Sequence, residues 1–381
     1  MNVLITAQFP TGTGYAWDTI ERVFRGLADR WLASGRSVYV CYPAVGDIPP
    51  AFQGSRVQII PFDYPATAGS PGALWRFVRL LRRLDIGLLY LTDQPTWSFR
   101  YPLLYLCGVR TLVVHDRTSG ERTRRSGPLL ALKRLLHRIP GLSGSRFIGV
   151  SRFVAQRLIE SAGTPPSRTR VVYNGIEVER FADAVPEALT RLLGLPDGTP
   201  VVFASGRAQP YKGIQVLIEA AAILQRGGDR ATHFAYCGDG PGLEEFRRLA
   251  ADRGLDRFHF LGRRADIPSL LGSATVAVVP SIWAEAFGLT VAESMAAGVP
   301  VICSAAGGIP ELIDDGVTGV LVPPGDAAAL AAALRALLDD PARRTAMGAR
   351  AGRAARERFA LTRVVEDLWR VVEPGMEARP A

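Results

Sequence analysis

Twice along the 381 residues, short apolar runs alternate with segments of helical spacing, and this double series restricts the chain to two parallel-sheet halves. In the first series, strand-like runs fall at residues 2–7, 37–41, 57–61, 86–91, 111–115, 146–150 and 171–173. Between them, 18–33 carries Ile20, Val23, Phe24, Leu27 and Trp31 at helical spacing, 74–84 and 129–138 read as basic helices, and Ser151 opens another as its N-cap. The series restarts with strands at 200–205, 233–237, 258–261, 274–279 and 299–303, and helices at 214–226, 242–253, 327–338 and 341–359. The predicted class is α/β, with one doubly wound domain over 1–175 and a second over 176–360. Each presents a ligand edge at the carboxyl ends of its strands. A last helix over 361–375 has no strand after it and is expected to pack back on the first domain.

Composition narrows the function classes. No window of about 18 apolar residues exists to span a bilayer, and residues 1–7 read as a strand rather than a leader. The scattered Cys41, Cys107, Cys237 and Cys303 fit free thiols in a reducing cytosol, so a cytoplasmic protein is expected. Residues 1–178 carry 23 Lys+Arg and 11 Asp+Glu (net +12), and the remainder 22 and 25 (net −3). Only Lys133 and Lys212 are lysines among the 45 basic residues. The cations in 76–83 and 117–138 stand beside Trp75, Phe77, Leu129, Leu130, Leu135 and Leu136. That pattern fits either an anionic membrane surface or a solvated face of an arginine-rich chain. No module or aromatic platform for nucleic acid is present.

The segment 281–298 concentrates the chemistry. Glu285 falls on a loop after a strand, and Glu293, eight positions on, falls in the first turns of a helix that Gly298 and Pro300 stop. The N–H groups near Gly288, Leu289 and Thr290 form a ready anion site. Flanking carboxylates that accept hydroxyl hydrogens point to a ligand with both phosphates and sugar hydroxyls. Residues 206–213 follow the first strand of the second half, so Arg207 and Lys212 can converge on that anion, unless they are surface cations of a solvated loop. Gly238 in Cys237-Gly-Asp-Gly-Pro241 marks a strand-to-helix turn that a ligand can approach. Glu311, after Gly307 and Gly308, reads as a helix-start carboxylate, and Asp314-Asp315 and Asp339-Asp340 as caps or turns.

In order and spacing, Arg207, Lys212, Gly238-Asp-Gly-Pro241, Glu285-x7-Glu293 and Gly307-Gly-x-x-Glu311 resemble retaining GT-B glycosyltransferases of family 4. Asn174-Gly-Ile176, Val150-Ser-Arg152 and Val113-Val-His115-Asp116 are similar to further signatures of that family. The resemblance implies two Rossmann-like domains facing a central cleft and a nucleotide-diphosphate sugar as co-substrate. Within it, Arg207, Lys212 and the backbone at Phe287, Gly288 and Leu289 hold the diphosphate. Glu293 takes the ribose hydroxyls, Glu285 the donor-sugar hydroxyls, and His115 lies across the cleft near donor sugar and acceptor. The first-domain loop departs from the family pattern. Its paired glycines would fall at Asp18 and Thr19, whereas Gly12 and Gly14 come earlier, so either Gly14 serves the phosphate or the sugar is held differently.

The implied reaction is sugar transfer to an acceptor hydroxyl with retention, without a metal, since no Asp-x-Asp is placed to hold one. A sugar, lipid-linked or small-molecule acceptor fits, as in cell-surface polysaccharide or glycolipid assembly on the inner face of the plasma membrane. A nucleotide-sugar epimerase or a non-catalytic nucleotide-sugar binder would use the same scaffold.

Overall fold

A computed structural model describes residues 1–62, 64, 70–121, 127–182 and 188–373. Part of the basic stretch at 117–138, with Arg122, Arg124 and Arg125, and the end of the expected 361–375 helix lie outside the described residues. The chain divides into two compact units, residues 1–175 with 361–381, and residues 176–360.

The first unit is built on seven parallel strands: β1 (Asn2–Thr6), β2 (Val38–Tyr42), β3 (Gln58–Pro61), β4 (Ile86–Thr92), β5 (Thr111–Asp116), β6 (Arg146–Gly149) and β7 (Thr169–Val171). Their order is β3-β2-β1-β4-β5-β6-β7, so the winding reverses between β1 and β4. Every residue of β2, β4 and β5 is buried, as sheets covered on both faces require. One face is covered by the helices Pro71–Arg83 and Tyr101–Leu106, through Phe77, Leu81, Tyr101 and Leu104. The other is covered by Tyr15–Ala33 and by the C-terminal helix Leu361–Val372, through Phe24, Leu27, Val365 and Leu368. These two helices approach closely at Gly26, where a Cβ would fall 2.6 Å from the Val365 side chain. Arg30 pairs with Glu366 at 2.5 Å and Trp31 Nε1 donates to Glu373 at 3.1 Å.

The second unit has six parallel strands: β8 (Val201–Ser205), β9 (His233–Cys237), β10 (Phe258–Gly262), β11 (Val276–Val279), β12 (Val301–Ser304) and β13 (Val320–Val322). The order β10-β9-β8-β11-β12-β13 puts its reversal between β8 and β11, where Val202 pairs with Val276 and Phe203 with Ala277. Helix Ile214–Arg226 buries Leu217, Ile218 and Ala221 on this sheet beside Leu330 and Leu334 of Ala327–Leu338. Asp326 and Asp340 cap the helices that follow them, their carboxylates accepting the N–H groups of Ala329 at 2.8 Å and Arg343 at 2.9 Å.

Several boundaries differ from the sequence reading. The first basic helix starts earlier, at Pro71, because Ser70 caps it, its Oγ accepting the Ala73 N–H at 3.2 Å. The last strand of the first sheet is Thr169–Val171 rather than 171–173, and β13 was not foreseen. Among the described residues no helix is long and apolar enough to cross a membrane.

Candidate active site

Because β8 and β11 are neighbours, the loops leaving their carboxyl ends meet. The loop after β8 runs through Arg207 to the short turn Pro210–Lys212 and enters Ile214–Arg226 at Gly213. The loop after β11 runs from Pro280 to Gly288 and enters Leu289–Ala296. They are joined backbone to backbone, the Tyr211 carbonyl accepting the N–H groups of Ile282 at 3.0 Å and Trp283 at 3.3 Å. Gly213 permits this approach. Its φ is +75°, and a Cβ there would fall 1.8 Å from the Pro280 carbonyl oxygen.

The join brings Lys212 and Glu285 together. Lys212 Nζ lies 2.6 Å from Glu285 Oε1, and Ser281 Oγ donates to the same oxygen at 2.8 Å. Glu285 is 8% exposed and is fixed from behind. Its carbonyl accepts the Gly308 N–H at 2.8 Å, and at Gly307 (φ +62°) a Cβ would come within 2.2 Å of that carbonyl. The Lys212 side chain is about one-third exposed, and an ammonium has three protons to donate, so pairing with Glu285 leaves it able to meet a ligand.

Helix Leu289–Ala296 starts at Gly288, whose φ of +102° suits glycine. The Gly288 carbonyl accepts the N–H groups of Val291 and Ala292, so the N–H groups of Leu289 and Thr290 stand at the open end of the helix. The Phe287 side chain is turned to the interior, its ring 5.5 Å from that of Phe359, so only its backbone is offered to a ligand. Glu293 is on the same helix and 3% exposed. Arg207 is exposed, and its side chain pairs with no other side chain among the described residues. Gly238 packs the neighbouring turn against the β8 loop: a Cβ there would lie 2.0 Å from the Gly206 carbonyl, which also accepts Tyr236 Oη–H at 2.8 Å. A cation, a partly shielded carboxylate and a helix start share this edge, and the complementary ligand is an anion that also carries hydroxyls.

His115 and Gly14 belong to the first unit. His115 is the next-to-last residue of β5 and almost fully buried. The Tyr90 hydroxyl donates to its Nδ1, and an Arg117 nitrogen lies 3.3 Å from the same atom. Nδ1 is therefore the acceptor, and the ring proton sits on Nε2, which has no hydrogen-bond partner among the described residues. Burial, and then the Arg117 charge, push its pKa well below the usual imidazole range, so the ring is neutral. Asp116 is held apart from it by Arg157 at 3.1 Å and by Thr118. Gly14 has φ +135° and caps Tyr15–Ala33, where a Cβ would meet nothing within 4 Å. Asp18 lies in the first turn of that helix.

Sequence reasoning missed four residues here. Ser281 orients Glu285, and a serine directly after a strand proline carries little signal of that. Tyr211 and Trp283 are exposed aromatics 6.5 Å apart, one on each joined loop. Asp93, just past β4, has φ +53° and accepts the Arg117 N–H at 2.6 Å, and burial pushes its pKa up to about 6.

Two family models match the chain: "Glycosyltransferase Family 4" over residues 20–180 and "Glycosyl transferases group 1" over 187–354. The D-inositol 3-phosphate glycosyltransferase of Geodermatophilus obscurus is 30% identical over 379 residues, covering 92% of this chain and 82% of that protein. The enzyme of that name from Corynebacterium kroppenstedtii is 37% identical over 227 residues, 56% of this chain and 50% of that one. Thus the chain spans about half the length of several of the curated relatives it matches. A glycosyltransferase of Rickettsia africae superposes with a TM-score of 0.83 at 20% identity, covering 98% of this chain and 99% of that one. Anabaena HepE in complex with UDP and glucose superposes at 0.78 and 24% identity, covering 97% and 98%. These likenesses show the fold, two Rossmann-like domains of the GT-B class.

Proposed function

The chain belongs to family 4 of the glycosyltransferases, and on that footing we propose that it moves a sugar from a nucleotide-diphosphate sugar to an acceptor hydroxyl with retention and without a metal. The observation that carries the reading is the Lys212–Glu285 pair, 2.6 Å apart beside the start of Leu289–Ala296. Lys212, Arg207 and the backbone N–H groups from Phe287 to Thr290 meet the diphosphate. Glu285 meets hydroxyls of the donor sugar, and Glu293 those of the ribose. His115 offers its Nε2–H to a sugar hydroxyl, and Gly14 leaves room for the donor at its loop.

As the bond from the anomeric carbon to the phosphate oxygen breaks, negative charge gathers on the leaving diphosphate, where the cations and helix start stabilise it. The acceptor oxygen bonds to the same carbon from the same face, and its proton passes to the departing phosphate oxygen. The basic first unit supports an acceptor on a lipid, in polysaccharide, glycolipid or lipid-linked glycan assembly at the inner face of the plasma membrane. The likeness to the Geodermatophilus obscurus enzyme supports a second reading, with a soluble phosphorylated polyol as acceptor.

The test is a thermal-shift screen with UDP, GDP, ADP and TDP, followed by incubation with the sugar nucleotides of the base that binds. Sugar transfer or slow donor hydrolysis supports the proposal. Epimerised donor would make the protein an isomerase, and tight binding with unchanged donor would make it a binder only.

A further inference from the structure

The first unit carries a basic and apolar face unrelated to the loops at its carboxyl edge. Helix Pro128–Leu136 is stacked on the turn at Leu158–Ala162, where Lys133 Nζ donates to the Ser161 carbonyl at 2.8 Å, and it buries no side chain of its own. Leu129, Leu132, Leu135 and, one turn beyond, Ile139 are 46%, 51%, 54% and 41% exposed. Their spacing puts them in one stripe. Arg134 and Arg138 flank it, both exposed. On the same side of the sheet, Leu103 and Leu106 stand out of Tyr101–Leu106, and Trp75 out of Pro71–Arg83 with Arg76, Arg79, Arg82 and Arg83.

Between the Tyr101–Leu106 helix and the end of the stripe is an open concavity of about 590 Å³, lined by Tyr105, His137, Arg138, Ser143, Ser145 and Arg168 among others. Arg168 is braced there, donating to the His137 carbonyl at 2.6 Å and to the Gly144 carbonyl at 3.1 Å. His137 is 2% exposed, and its Nε2 faces the Ala162 carbonyl at 3.2 Å. Its Nδ1 is thereby an acceptor, buried and without a hydrogen-bond partner among the described residues. The concavity joins guanidinium charge to a row of exposed leucines.

We propose that this face docks on an anionic phospholipid bilayer, with the concavity between Tyr105 and Arg168 receiving a lipid phosphate. Arg138 meets the phosphate, and the leucine stripe enters the acyl boundary. A second copy of the chain is a poorer occupant, because it would oppose arginines with arginines. The site deepens the reading that the acceptor is lipid-borne and rests on it only for its purpose, since docking needs neither donor nor acceptor.

Full-length protein is co-sedimented at low salt with phosphatidylcholine vesicles, with and without phosphatidylglycerol. Binding is expected only with phosphatidylglycerol. The paired change Leu132→Ser and Leu135→Ser, at exposed sites that leave the fold intact, is expected to weaken it at least about tenfold. Arg138→Glu is expected to do so by on the order of tenfold, and Arg248→Glu in the second unit to leave it unchanged. Absence of wild-type binding overturns the surface, as does full binding by the leucine variant. Unchanged binding by Arg138→Glu overturns the concavity. The nucleotide thermal shift of the same variants separates this proposal from the transfer reading: a shift kept while vesicle binding fails leaves transfer standing.

Discussion

Lys212 and Glu285, 73 residues apart in the chain, form one ion pair at 2.6 Å that ties the loop after β8 to the loop after β11. The pair holds the cation at the mouth of Leu289–Ala296 before any ligand arrives. Lys212→Ala removes the charge but keeps the loop, and Ser281 still holds Glu285. The nucleoside diphosphate thermal shift should shrink, and sugar transfer should fall by about 10²–10³. A variant with the wild-type shift and rate would refute the placement of the diphosphate.

Gly213 fixes the same meeting of loops from the backbone. Gly213→Ala sets a Cβ against the Pro280 carbonyl at a positive φ. Chemical denaturation should show a loss of about 2–4 kcal/mol, with transfer reduced further than stability alone explains. Full stability would mean that the loops part without cost.

Glu293→Gln keeps the volume of a buried side chain and removes its charge. If the carboxylate accepts both ribose hydroxyls, affinity for the preferred nucleoside diphosphate should fall about tenfold. The variant should also lose the wild-type preference for that ligand over its 2′,3′-dideoxy form. Calorimetric titration of the two ligands checks both points, and a preference that survives in the variant sinks the role.

His115 is neutral across the ordinary range, so its proton should not shape the pH dependence of transfer. His115→Ala should lower transfer while leaving the diphosphate thermal shift as in the wild type, because the residue belongs to the other unit. A wild-type activity limb near pH 6.5 that disappears in this variant would contradict the neutral, Nε2-protonated ring.

Glu21 predicts a pH effect on stability. It is buried in the Tyr15–Ala33 helix with Tyr42 Oη donating to it at 2.8 Å, and burial pushes its pKa from 4.5 up to about 7. The protonated form is favoured by the fold, so its contribution is complete below 4.5 and fades as the pH rises through about 7. Glu21→Gln should therefore gain stability relative to wild type between pH 5 and 8, on the order of 2 kcal/mol. Parallel melting curves across that range would refute it.

The α/β alternation was legible because a strand buried on both faces must be apolar throughout. Ile86–Thr92 shows this, being buried at every position. The last strand of each sheet was less legible, one missed and the other displaced by two residues. Val320–Val322 is a three-residue strand, too short for a pattern, and Thr169–Val171 exposes Arg170 and Val171. At the candidate site, Glu285, Glu293 and Lys212 could be singled out by type and spacing, but their neighbours could not. The approach of Gly213 to Pro280 depends on strand order, which no local window contains. Glu21 did leave a trace: an acid among Trp17, Ile20 and Phe24 on the apolar stripe of its helix.

The C-terminal helix has a consequence for how the protein is made. Val364, Val365, Leu368 and Val372 complete the core of a unit whose other residues end at Gly175. On the ribosome, the first unit to emerge is thus the last that can close, while residues 176–360 can be finished first. Until residues 361–372 are made, the Tyr15–Ala33 helix shows its apolar side to whatever is near. A stop codon directly after Ala360 would leave the second unit whole and the nascent first unit a client for chaperones or proteases.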